Sequence, residues 1–160
     1  MSFTQFEDEH NIRYLLQNAK LLENFSLFVG NDENLLGLRD ILSHSARTLK
    51  VLGFEMPLNA SGSLAGLCEV LEVMEGNNML EALSFQVYVM GHESKDSIGS
   101  IIQNVEHVLV GPGWPSLKQV SLKVTIPSAL SEALQSLPHE YLSRLSQLES
   151  IAFNFSVSVD

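Results

Sequence analysis

The stretch that decides the fold is residues 80–87, LEALSFQV, which has an apolar residue at its start and at offsets of three, five and seven. The same pattern occurs without gaps in four other stretches, at 22–29, 49–56, 117–124 and 148–155. Apolar residues that alternate with polar ones are typical of a β-strand with one buried face. Five such stretches in one register predict an internal repeat with a strand in each unit.

The segments between these strands have the periodicity of helices, with apolar residues three or four positions apart at 35–42, 64–74, 98–109 and 130–145. A further helix is predicted at 5–19, where Thr4 and Glu7 form a capping pair. Strands that alternate with helices pair in parallel. The predicted fold class is therefore α/β, a solenoid of about five parallel strands alternating with helices. A doubly wound sheet is the alternative, but its strands would be continuously apolar, whereas here polar residues intervene.

The composition narrows the class of protein. Apolar residues make up 45% of the 160 residues, and the formal net charge is −10. An acidic chain is unsuited to nucleic acid or an anionic membrane surface, since both attract clustered cations. A single cysteine argues against a crosslinked secreted scaffold. The acidic N-terminus argues against a signal peptide, and the lack of a long apolar run argues against a membrane span. We expect one domain over 1–160, located in the cytoplasm or nucleus.

The residues that could carry chemistry are scattered along the chain. Cys68 lies in the middle of a predicted helix among leucines, which predicts a core thiol rather than a nucleophile. The five histidines lack the spacing of a metal site, and no nucleophile, base and orienting group can be assembled. We therefore predict a protein that is not an enzyme and that binds no cofactor or metal. An α/β enzyme with its site at the carboxyl ends of the strands is the competing hypothesis.

The repeated core and its lead-ins, Trp114-Pro115-Ser116-Leu117 and 79–83 (MLEAL), resemble the leucine-rich repeats of fungal F-box proteins over about residues 20–160. The Asn or Cys that usually follows each strand in such repeats is absent or irregular here, which predicts an imperfect array. The resemblance implies a protein-recognition module that is the substrate-recognition part of an F-box type ubiquitin-ligase adaptor.

The polar face of the predicted sheet, on the concave side of the predicted arc, is the candidate site for a protein partner. At offset four every strand has a small residue, in the row Ser26, Gly53, Ser84, Ser121 and Ala152. At offset six the row is Phe28, Glu55, Gln86, Lys123 and Asn154. The small row is either the floor of a groove or a way to relieve crowding on a curved sheet. The residues predicted to contact a protein partner are Phe28, Glu55, Ser84, Gln86, Tyr88 and Lys123, with Trp114 as either a hot spot or an apolar plug.

The last predicted strand, 150–159, would have an open edge. Its inward residues are Ile151, Phe153, Phe155 and Val157, and it has no charged residue before Asp160. Uncharged, exposed edges invite pairing with another chain. We therefore expect self-association through this strand. The alternative function is a structural repeat fragment that associates with itself or belongs to a longer chain.

Overall fold

The computed structural model describes the protein at residues 2–3, 23–29, 38, 42–43, 45–58, 63–76, 78–89, 95–127, 144, 147 and 150–159. Within these residues the elements follow one another in this order: β1 (Ser2–Phe3), β2 (Asn24–Phe28), β3 (Val51–Leu58), α1 (Ser63–Met74), β4 (Ala82–Val89), α2 (Lys95–Val110), β5 (Gln119–Ile126) and β6 (Ala152–Val159). The predicted helix at 5–19 lies outside the described residues. The helices predicted at 35–42 and 130–145 lie mostly outside them, although Leu38 and Leu42 are helical.

The strands form one sheet in the order β1-β2-β3-β4-β5-β6, and every neighbouring pair is parallel. The prediction of five parallel strands in chain order is confirmed. The two-residue strand β1 is an addition that the repeat pattern did not predict, and its Ser2 lies opposite Ser26. The fold is therefore α/β, as expected.

The alternation of apolar and polar residues determines which face of the sheet is buried. In β4, Leu83, Phe85, Val87 and Val89 are buried, whereas the residues between them are half-buried. The apolar side chains of β2 to β5 form one core with those of the helices, and Phe54 stacks on Phe85 with ring centroids 5.8 Å apart. The opposite side of the sheet, here called the outer face, carries the intervening residues.

The two fully bounded helices cover the stretches 64–74 and 98–109, for which the sequence predicts helical periodicity. Helix α1 stops before Gly76, whose φ of 78° is the left-handed conformation that glycine adopts at little cost. Leu67 and Leu71 of α1 and Ile102 and Leu109 of α2 are buried in the core. Neither α1, α2 nor any other described helix has the length and apolar character to cross a membrane.

The same backbone arrangement recurs where each strand begins. The carbonyl of Glu23 accepts hydrogen bonds from the N–H groups of both Lys50 and Val51. The carbonyl of Lys50 accepts from Glu81 and the residue after it, and the carbonyl of Glu81 accepts from Lys118 and its successor. A contact made three times at equivalent positions supports the alignment of the first four repeats.

Asn78 joins the end of one helix to the loop that precedes β5. Its side chain is buried, and its Nδ2 donates to the carbonyls of Met74 and Gly113 at 2.8 and 2.9 Å. Its Oδ1 accepts the N–H of Leu80 at 3.2 Å. Asn78 therefore stabilises the contact between successive units. It lies before a strand, whereas the asparagine that is usual in leucine-rich repeats follows the strand.

Candidate functional site

The small residues of the outer face line up across the sheet. Ser26, Gly53, Ser84 and Ser121 lie directly opposite one another in β2, β3, β4 and β5. A Cβ atom at Gly53 would lie 2.9 Å from Ser26 Oγ and 3.0 Å from Ser84 Oγ. The row is closely packed at Gly53, and a side chain there would require the serine hydroxyls on both neighbouring strands to turn away. Ser84 and Ser121 remain half-exposed, and Ser26 is exposed.

The register of β6 corrects the predicted rows at their last position. Ser121 lies opposite Asn154 and not Ala152, and Lys123 lies opposite Ser156 and not Asn154. The strand is displaced by two residues from the position that the repeat alignment predicts. A displacement of two leaves every side chain on its original face, so alternation alone cannot distinguish the two registers. The row of small residues therefore ends in an asparagine.

Three of the predicted contact residues form a hydrogen-bonded group on the outer face. Tyr88 donates its hydroxyl proton to Glu55 Oε1 at 2.6 Å, and Gln86 Nε2 donates to the Tyr88 oxygen at 2.5 Å. All three side chains are half-buried. Because Glu55 belongs to β3 and the other two belong to β4, the group links neighbouring strands. It holds a carboxylate, a phenol and an amide in fixed positions at the surface.

The other predicted contact residues flank this group. Phe28 lies opposite Glu55 and is half-buried, and Lys123 lies opposite Gln86 and is exposed. On the far side of Tyr88, Thr125 Oγ1 and Ser158 Oγ are 2.9 Å apart and share a hydrogen bond. The structure thus brings Phe28, Glu55, Gln86 and Lys123 into one row across four strands.

A line of alternating charges, which the sequence analysis missed, crosses the sheet just before the strands. Lys50 Nζ lies 2.8 Å from Glu23 Oε1, and Lys118 Nζ lies 2.8 Å from Glu81 Oε2. The hydrogen bond and charge of Glu23 raise the pKa of Lys50, and those of Lys118 lower the pKa of Glu81. Exposed pairs of this kind contribute little stability, but their alternation favours the observed register. The signal was available at offset one of the aligned repeats.

Trp114 lies apart from the outer face. Its side chain is only 6% exposed, and its Nε1 donates to the carbonyl of Val108 at 3.0 Å. This burial fits the plug interpretation better than the hot spot, because a buried indole has little surface to offer to a partner. Cys68 is half-buried against the core, and burial followed by the charge of Glu72 raises the pKa of its thiol to about 11. A thiol that stays neutral near pH 7 is a poor nucleophile.

A cavity of about 380 Å³ opens between the carboxyl ends of the two helices. Its charged and titratable groups come from Glu72 near the end of α1, Glu75 just after α1, His107 of α2, and Arg144. Glu75 lies against Gly113, where any side chain would collide with it. In the part of the chain that the structure describes, no three His, Cys, Asp or Glu side chains are grouped so that they could hold a metal ion.

Comparison of the chain with protein-family models, with curated proteins and with solved structures finds no match. The interpretation of the site rests on its own geometry.

Proposed function

We propose that the chain is a leucine-rich-repeat-like solenoid that acts as a non-enzymatic protein-recognition module and binds its partner on the outer face. The observation that carries the proposal is the group formed by Glu55, Gln86 and Tyr88, whose hydrogen bonds fix three polar side chains on an otherwise open surface. Groups that are already ordered lose less side-chain entropy when a partner binds. The concave surface of a solenoid is also its usual binding face.

The charges on the outer face suggest the chemistry of the partner. Glu55 and Lys123 lie two strands apart, with Gln86 between them. Neighbouring strands are about 4.8 Å apart, so the two charges are separated by roughly 10 Å across the sheet. A protruding segment that presents a basic side chain to Glu55 and an acidic one to Lys123 would match this surface. Electrostatic complementarity of this kind contributes mainly to specificity and to the rate of association.

The finer proposal is that the module is the substrate-recognition part of an F-box type ubiquitin-ligase adaptor in the cytoplasm or nucleus. It is supported by the resemblance of the repeats to those of fungal F-box proteins. The genomic reading frame upstream of this sequence tests it, because the proposal requires an F-box there. A frame without one would leave the recognition module but contradict the adaptor.

The experiment that tests the binding face compares Ser84→Arg with Gln103→Arg. Ser84 is half-exposed in the middle of the outer face, and Gln103 is exposed on α2, so both variants add one arginine to the surface. Both substitutions should change the free energy of unfolding by only about 0.5 kcal/mol, and thermal unfolding checks this.

Each immobilised variant is incubated with a cell extract, and the captured proteins are quantified by mass spectrometry. We expect a specific set captured by the wild type and by Gln103→Arg to be lost with Ser84→Arg. Equal capture by all three folded proteins would contradict binding on the outer face.

A further inference from the structure

The inward side chains of β6 are less well covered than those of the strands before it. Phe153, Phe155 and Val157 pack against the core but are only half-buried. Their partners in β5 are all buried, with exposed fractions of 1% for Val120, 8% for Leu122 and 1% for Val124. Within the described residues β6 pairs only with β5. Within the described residues, therefore, one edge of the strand has no partner and part of its apolar face is uncovered.

The hydrogen bonds of β6 show which backbone groups point to this edge. Ala152 donates its N–H to the carbonyl of Lys118 in β5. In a parallel ladder such a residue directs both its N–H and its carbonyl to the same neighbour, and alternate residues follow suit. The backbone groups of Phe153, Phe155 and Val157 consequently point away from β5. The same three residues hold the exposed edge and the half-covered apolar side chains.

The arrangement of residues in β6 is symmetric about Phe155. The inward positions Ile151, Phe153, Phe155, Val157 and Val159 are all apolar, and the positions between them are Ala152, Asn154, Ser156 and Ser158. We propose that two copies of the chain pair through β6 as antiparallel strands related by a two-fold axis at Phe155. Phe155 then faces its own copy, Phe153 faces Val157, and Asn154 faces Ser156.

This register satisfies three independent requirements. Only residues whose backbone groups point outward can exchange hydrogen bonds, and the proposed axis pairs Phe155 with Phe155 and Phe153 with Val157. An axis at Phe155 also places apolar residues opposite apolar residues on one face, and small or polar residues opposite one another on the other face. Finally, a two-fold axis places residues 151–159 opposite the same residues of the second copy. Any charged residue in this stretch would therefore lie close to the identical charge on the second copy. Residues 151–159 contain none.

A second copy fits this edge better than a head-to-tail arrangement does. The opposite edge of the sheet is β1, which has two residues and could cover only a small part of the eight-residue β6. A two-fold pair, in contrast, covers the whole strand and closes the assembly at two copies. Stable specific interfaces bury about 1,200–2,000 Å². One pair of eight-residue strands is a small contact by comparison, so the dimer should dissociate on dilution.

Paired charge variants test both the contact and its register. Asn154→Lys with Ser156→Lys places lysine opposite lysine twice, whereas Asn154→Lys with Ser156→Glu places lysine opposite glutamate twice. Both positions are exposed, so the monomer should fold in each case. Gln103→Lys with Asn104→Lys, on the exposed side of α2, is the control that adds the same charge as the first variant away from β6.

Sedimentation velocity is measured for all four proteins from low micromolar to several hundred micromolar concentration, and circular dichroism verifies folding. We expect a monomer–dimer equilibrium for the wild type, the Lys–Glu variant and the α2 control. The dissociation constant of the Lys–Lys variant should rise by about tenfold or more.

A wild-type chain that stays monomeric, or that grows beyond a dimer, would overturn the proposal. A Lys–Glu variant as weak as the Lys–Lys variant would overturn the register. This test is separate from that of the outer face, because Ser84 is two strands from β6 and Ser84→Arg should leave the dimer intact.

Discussion

Replacing Asn78 by alanine should destabilise the protein strongly, because this one side chain makes three hydrogen bonds while being only 3% exposed. Each such bond contributes about 0.5–1.5 kcal/mol net, so we expect a loss of about 3 kcal/mol in the free energy of unfolding. The carbonyl of Gly113 keeps a second donor, the N–H of Gly76, which limits the loss there. The N–H of Leu80 and the carbonyl of Met74 lose their Asn78 contacts.

The measurement is urea unfolding followed by far-ultraviolet circular dichroism, with thermal unfolding as a second readout. For a domain of this size, about 3 kcal/mol corresponds to a decrease of roughly 6–12 °C in Tm. Asn104→Ala is the matched control, because Asn104 is exposed on α2 and alanine is a good helix former. Asn78→Asp should also be destabilising at pH 7, because a carboxylate cannot donate to either carbonyl. A loss of less than about 1 kcal/mol for Asn78→Ala would refute the assigned role.

Two further substitutions probe packing and ionisation. Gly53→Val should cost about 1–3 kcal/mol through overpacking against Ser26 and Ser84, measured by urea unfolding, and the cost should fall when Ser26 and Ser84 are both replaced by glycine. An unchanged cost in that triple variant would contradict crowding as its cause. Burial raises the pKa of the Cys68 thiol to about 11, which is above its pKa in the unfolded chain. Below the unfolded pKa the thiol is neutral in both states, and its contribution to stability is complete. That contribution is lost as the pH rises through the folded pKa. Cys68→Ala should therefore lose less stability than the wild type between pH 9 and pH 11, and parallel pH profiles of the urea midpoint would show that the thiol has no such effect.

The amount of structure that the sequence predicts depends on how periodic each feature is. The strands were predictable because alternation is repeated five times, and helix α1 could be bounded at Gly76 because glycine marks a helix end. The outer-face row through Glu55 and Gln86 followed from the same alignment. Each of these features either recurs in several repeats of the sequence or is marked by a characteristic residue.

Features without a repeated pattern could not be predicted in the same way. The displacement of β6 was hidden because a shift of two residues preserves both faces of a strand. The role of Asn78 depends on the position of Gly113, 35 residues away, and no spacing along the chain indicates that contact. Strand β1 is too short to show any alternation. The hydroxyl of Tyr88 could be assigned to Glu55 only once the register of β3 and β4 was known.

Site-specific photo-crosslinking in living cells tests the proposed binding face most directly. A photoreactive phenylalanine analogue is placed at Gln86 on the outer face, and in a matched protein at Gln103 on α2. Proposed binding on the outer face predicts a discrete crosslinked product with a second polypeptide from position 86 and none from position 103. Products from position 103 alone, or the same products from both positions, would contradict it.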